Sequence, residues 1–85
     1  MAEIVFARRF LRDLAEYEAT HSPRDVEALD GALASIGSDP TLAGRVPSFY
    51  DPAAPSYLYR AGACLVHYRI DSDRVEFLNL FFARP

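Results

Sequence analysis

The chain has 85 residues, of which 51% are apolar and 25% charged, and its formal net charge at pH 7 is −3. A chain of this length folds as one domain and buries only roughly 60 to 65% of its unfolded surface. No apolar run approaches the roughly 20 residues that a membrane helix needs, and no charged leader precedes an apolar stretch. We therefore expect a single soluble, cytoplasmic domain over residues 1–85.

The charged and sulfur-containing residues exclude several kinds of chemistry. All nine basic residues are arginines, which rules out a lysine nucleophile, and an acidic chain cannot supply the broad basic face of non-specific nucleic-acid binding. Cys64 is the only cysteine, so an internal disulfide and a thiolate metal cluster are excluded. We expect Cys64 to be a small buried residue, with a reactive thiol as the alternative, and we predict no metal and no cofactor.

The first half of the chain predicts a strand and two helices. Glu3–Phe6 has the composition of a short strand. From Arg8 to about Ala19 the apolar residues take helical spacing, on Phe10, Leu11, Leu14 and Tyr17. A second helix begins after Ser22, which can cap it ahead of Pro23, and Gly37 is expected to end it. The charged residues of this antiparallel helical hairpin are expected mostly on solvated surfaces: Arg8, Arg9, Arg12, Asp13, Glu16, Asp25, Glu27 and Asp30.

The second half predicts a mainly antiparallel sheet of about four strands, so the fold class is α+β. Residues 41–55 are irregular and rich in proline, although Arg45 to Tyr50 could add an edge strand. Two hairpins follow, with a turn at Gly62 that fits a two-residue or a three-residue loop and a second turn at Asp71-Ser72-Asp73.

Strict alternation along these strands places an apolar set on the face that the helices leave uncovered. Two packed helices span roughly 20 Å, about the width of four strands, and so cover one face only. A contiguous apolar patch of this kind usually marks a binding surface. The alternative is that the proline-rich segment or a strong sheet twist covers it. The predicted partner-binding residues are Leu58, Leu65, Leu78, Leu80 and Phe82.

The order of the predicted elements and the sequence of the two hairpins resemble those of the RelE/ParE superfamily of bacterial toxins. The resemblance spans nearly the whole chain and depends on an Arg before a Gly turn, a strand ending in Tyr and a last strand ending in Arg, which Arg60, Tyr68 and Arg84 supply. It implies the toxin of a type II toxin-antitoxin pair with a cognate antitoxin as its partner. The expected assembly is a homodimer of the toxin or a heterotetramer with the antitoxin.

The departures from the family pattern concern RNA cleavage. Ser56, Leu58 and Leu65 stand where members that cut messenger RNA on the ribosome carry basic residues. The chain still offers candidate catalytic residues, with Glu76 as a partner: His67, Arg69, Arg60 and Arg84. The simpler interpretation is that Arg69 and Glu76 form a cross-strand ion pair and that His67 is a residue of the sheet surface.

Three functional hypotheses remain open. The favoured one is a toxin that binds a protein target, as ParE-type members bind DNA gyrase. The second is a divergent ribosome-dependent endoribonuclease acting on messenger RNA, and the third is an inactive relative kept as a binding module. Whether the chain is an enzyme is therefore left undecided by its sequence.

Overall fold

The structure is a computed structural model that describes residues 3–48 and 55–84. In these described ranges two helices follow the first strand, and four further strands follow the helices. The elements are β1 (Glu3–Phe6), α1 (Arg8–Thr20), α2 (Pro23–Ser38), β2 (Val46–Ser48), β3 (Ser56–Ala61), β4 (Cys64–Asp71) and β5 (Arg74–Phe82). The predicted α+β order, a strand and a helical hairpin followed by antiparallel strands, is confirmed.

The local signals for α2 act as expected at its start and differ slightly at its end. Ser22 caps the helix, because its Oγ accepts a hydrogen bond from the backbone N–H of Asp25 at 3.2 Å. Gly37 was expected to terminate the helix, but α2 continues to Ser38 and its cap residue is Asp39. Pro40 follows directly and cannot continue the hydrogen-bond ladder, so it explains the stop better than Gly37 does.

All strands join one sheet in the order β1-β5-β4-β3-β2. β1 runs parallel to β5, and the other pairs are antiparallel. The loop at Gly62 has two residues, since Ala61 pairs with Cys64, and Gly62 has a φ of +61° as its turn requires. The predicted edge strand is present as β2, but Phe49 and Tyr50 of the predicted range lie outside the described residues, as do residues 51–54 of the proline-rich segment.

The hydrophobic core lies between the helices and one face of the sheet. α1 packs on β5 and α2 on β3, so among the described elements both helices lie on the same side. Burying large apolar side chains here supplies most of the stabilisation available to so small a domain. The largest fully buried residues are Phe10, Tyr17, Leu29, Ile36, Val66, Tyr68, Val75, Phe77 and Leu80.

Candidate functional site

A β-bulge in β5 decides which side chains reach the face of the sheet that lies opposite the helices. His67 pairs with Asn79 and the next residue, Tyr68, pairs with Phe77, so Leu78 is an extra residue without a partner on β4. Beyond the bulge the alternation of β5 is inverted. Leu80 therefore lies on the helix side together with Val66, with which it pairs.

This inversion corrects two of the predicted partner-binding residues. Leu80 is 2% exposed in the core, and Phe82 packs against the core with its ring edge on Tyr17, at 5.2 Å between centroids. Both side chains were assigned to the uncovered face by strict alternation, and that assignment is wrong. Phe81 takes their place on the face opposite the helices, across from Leu65, and is 38% exposed.

The centre of that face carries a chain of hydrogen bonds across three strands. The imidazole Nδ1 of His67 lies 2.7 Å from Oδ1 of Asn79, and its Nε2 lies 2.8 Å from Oγ of Ser56. An amide oxygen only accepts, so Nδ1 donates to Asn79, and in the neutral ring Nε2 accepts the proton of the Ser56 hydroxyl. The three residues are 4 to 7% exposed, which contradicts the interpretation of His67 as a surface residue.

A hydroxyl, an imidazole and an amide in this order form the geometry that activates a serine nucleophile. Ser56 is buried, however, and both ring nitrogens of His67 are already hydrogen-bonded, so a large substrate cannot reach the hydroxyl. The clearest consequence of the network is structural, because a satisfied buried polar chain fixes the register of β3, β4 and β5.

The arginines near His67 divide between two sides of the molecule. Arg69 pairs with Glu76 across β4 and β5, which confirms the predicted cross-strand ion pair. Arg60 lies on the same face, opposite Leu65, and is exposed. Alternation thus brings His67, Arg69 and Arg60 to one face, as their spacing predicted.

Arg84 is not brought to that group. Its Nη2 donates to Oδ1 of Asp13 at 3.1 Å, its Nε lies 3.2 Å from Oε1 of Glu16, and its guanidinium lies over the ring of Phe82 at 4.2 Å from the centroid. These contacts hold it against α1, on the helix side of the sheet. The candidate catalytic set is therefore split, and the grouping of Arg84 with His67 is not supported by the geometry.

Asp13 was expected on a solvated surface and is instead 5% exposed. Its Oδ2 accepts the backbone N–H of Leu80 at 3.1 Å, because β1 ends opposite Phe77 and leaves that edge of β5 without a strand. The sequence contains a signal for this: Asp13 falls between Phe10 and Tyr17 at the spacing of the buried helical stripe. Ser56 carries no comparable signal.

An apolar patch surrounds the polar chain. We define it as Val46, Leu58, Leu65 and Phe81, which pairing and alternation place on the face opposite the helices. Val46 is 56% exposed and Phe81 is 38% exposed, while Leu58 and Leu65 are half-buried. Leu58 and Leu65 keep their predicted place, and Leu78 lies half-buried at the bulge.

Cys64 and the possible metal ligands complete the description of the chemical groups. Cys64 is buried, its Sγ donates to the carbonyl of Ala61 at 3.3 Å, and burial raises the pKa of the thiol, as expected of a packing residue. Within residues 3–48 and 55–84, no cluster of three or more His, Cys, Asp or Glu side chains could hold a metal ion. Neither helix in the described ranges is long and apolar enough to span a membrane.

Comparison with known proteins shows which solved structures have a similar fold. The sequence matches no protein-family model and no curated protein. The structure is similar over 98% of both chains to the YoeB dimer from Staphylococcus aureus, with a TM-score of 0.74 and 15% identity. It is similar to the toxin-antitoxin complex RelBE2 from Mycobacterium tuberculosis, with a TM-score of 0.70, 24% identity and coverage of 96% of this chain and 98% of that chain.

A third similar structure belongs to the chromosomal ParDE toxin-antitoxin system of Pseudomonas aeruginosa. Its TM-score is 0.72 at 13% identity, and the match covers 99% of this chain and 98% of that chain. At this level of identity the likeness establishes architecture, and function has to be argued from the site. The chain shares its fold with these toxin structures, and the fold that the resemblance in its sequence implied is confirmed.

Proposed function

We propose that the chain is the toxin of a type II toxin-antitoxin pair, which acts in the cytoplasm by binding a protein target and is neutralised by a cognate antitoxin. The observation that carries the proposal is the split of the candidate catalytic residues. His67 is buried with both ring nitrogens engaged, and Arg84 is held against α1 by Asp13 and Glu16. Acid-base cleavage of RNA needs such groups together around one phosphate.

The apolar patch supports recognition of a protein. Val46 and Phe81 expose large apolar areas beside Leu58 and Leu65, with the exposed Arg60 next to them. Aromatic and arginine side chains at the margin of an apolar patch are typical of protein interfaces. Covering what remains exposed of Val46 and of Phe81 would contribute roughly 1 kcal/mol each, since complete burial contributes roughly 1.5 to 3 kcal/mol.

DNA gyrase is the protein target that we propose, by analogy with ParE-type toxins, and the patch is its docking surface. The antitoxin partner is supported by two of the similar structures, which come from the RelBE2 complex and the ParDE system. The assembly with the antitoxin is a heterotetramer in this proposal, and the free toxin is a monomer or a homodimer.

Expression of the chain without an antitoxin tests the proposal. We expect growth to stop and plasmid supercoiling to fail before protein synthesis does. The variant Phe81→Asp should relieve the arrest, because it places a charge in the patch, whereas the exposed control Arg74→Gln should remain toxic. Normal growth at confirmed soluble expression would refute a toxin and leave an inactive binding module of the same fold.

A ribosome-dependent endoribonuclease is the second candidate, because His67, Arg69 and Arg60 share one face of the sheet. In that case protein synthesis would fail first. His67→Ala and Arg69→Ala would then abolish toxicity while the circular dichroism spectrum shows that each variant is folded. Toxicity that survives both substitutions would exclude the nuclease.

A further inference from the structure

A groove lined by arginines lies between the outer flank of α1 and the end of β5. Its volume is about 570 Å³, and all six residues that line it are charged. The lining residues, which we call the arginine groove, are Arg8, Arg9, Arg12, Asp13, Glu16 and Arg84. Arg8, Arg12 and Glu16 follow one another at a spacing of four, so one flank of the helix presents them in a row.

The charge of the groove is opposite to that of the chain. Four arginines and two acidic residues give it a formal charge of +2, while the whole chain carries −3 and the remainder therefore −5. The first turn of α1 holds Arg8 and Arg9 and no acidic residue, although the positive end of the helix dipole disfavours cations there. The unfavourable position of these two arginines is expected if an anion binds there, because the anion offsets their repulsion from the helix dipole.

Both acidic residues of the groove are already engaged. Asp13 and Glu16 bind Arg84, whose guanidinium is further held over Phe82. Within the described ranges 3–48 and 55–84, no acidic side chain forms an ion pair with Arg8, Arg9 or Arg12. Arg84 thus neutralises both carboxylates of the groove, and three exposed guanidinium groups remain for an added anion.

We propose that the arginine groove binds the carboxylates of an acidic segment of a protein partner. Arginine recognises carboxylates and phosphates alike through its planar fork. Nucleic acids, however, gain affinity from many phosphates neutralised in succession, and the net charge of −5 on the rest of the chain opposes a long polyanion. Two or three carboxylates on one peptide match the number of exposed arginines, so a protein segment fits the groove better.

The site is distinct from the apolar patch. Three arginines of the groove lie on α1, and Arg84 follows the last residue of β5 and is held on the helix side. The patch lies on the opposite face of the sheet. Carboxylate binding can therefore be tested in the purified chain without reference to toxicity. Failure of either proposal would leave the other standing.

The test is a titration of a fluorescein-labelled ten-residue peptide, in which three glutamates stand among neutral residues, with the purified chain at low salt. We expect binding that Arg8→Gln/Arg12→Gln weakens at least tenfold, and that the matched control Arg24→Gln/Arg74→Gln, which removes two exposed arginines elsewhere, changes less than twofold. Circular dichroism and thermal unfolding verify that both double variants fold.

Three outcomes would overturn the proposal. The peptide fails to bind, or both double variants weaken binding equally, which would indicate only non-specific attraction. The third is that a labelled ten-nucleotide single-stranded RNA binds more tightly than the peptide and depends on Arg8 and Arg12. The groove would then be a nucleic-acid contact.

Discussion

Replacement of Asp13 by alanine probes how the free edge of β5 is held. Asp13 Oδ2 accepts the N–H of Leu80 at 3.1 Å, and its Oδ1 accepts from Arg84 at 3.1 Å. β1 pairs with β5 only as far as Phe77, so the Asp13 carboxylate replaces a missing strand partner at Leu80. In Asp13→Ala the buried N–H of Leu80 loses its acceptor.

The magnitude follows from these two contacts. A buried donor left without a partner costs about 1 to 3 kcal/mol. Arg84 is 43% exposed and keeps Glu16, so the loss of its pair with Asp13 adds less than about 1 kcal/mol. We expect a total near 2 to 3 kcal/mol, against roughly 4 to 13 kcal/mol for the unfolding of a chain of this length.

Urea unfolding followed by circular dichroism measures the effect. With a slope of about 1 kcal/mol per molar urea, the midpoint should fall by about 2 to 3 M. Asp30→Ala, at an exposed position of α2, should have an effect within about 0.5 kcal/mol. The reasoning would be refuted if Asp13→Ala and Asp30→Ala had the same midpoint.

Three further predictions concern the bulge, the buried tyrosines and the first hairpin. Leu80→Ala should cost about 2 to 5 kcal/mol in urea unfolding and Phe81→Ala much less, an order that strict alternation would reverse. Burial raises the pKa of Tyr17 and of Tyr68 to about 12. Because the pKa of an unfolded tyrosine is 10.0, these two groups should leave the free energy of unfolding unchanged below pH 10 and lower it as the pH rises towards 12. In Tyr68→Phe this fall should be shallower, and an unchanged slope would contradict the prediction. Gly62→Ala should cost about 1 kcal/mol, since φ is +61° and the new Cβ would lie 3.3 Å from Ala28 Cβ; a neutral substitution would count against the strain.

Most of the architecture follows from local signals. Ser22 and Pro23 start α2, the turns at Gly62 and Ser72 separate the strands of both hairpins, and aromatic and β-branched residues form β3 to β5. Each signal depends on neighbours in sequence, which explains why the element order and the toxin-like fold could be predicted. That two helices cover only one face of the sheet, and leave apolar side chains on the other, also follows from the number of helices and strands.

The candidate site is predicted less well, because it depends on register. One extra residue at Leu78 exchanges the faces of every later side chain in β5, so Leu80 and Phe82 move into the core and Asn79 and Phe81 move out of it. The bulge also sets Asn79 beside His67, which completes the chain to Ser56. Nothing local in Phe77 to Phe81 marks the position of the extra residue.

The sequence by itself thus determined the elements, their order and the acidic, lysine-free character of the chain, because propensity, capping and charge are properties of short segments. Only the tertiary structure decided which residues meet. Asp13 is buried because β1 is too short to pair with all of β5, and Arg84 turns towards α1 because Asp13 and Glu16 are there. Such contacts join residues about 70 positions apart, and their partners become visible only when the chain is folded.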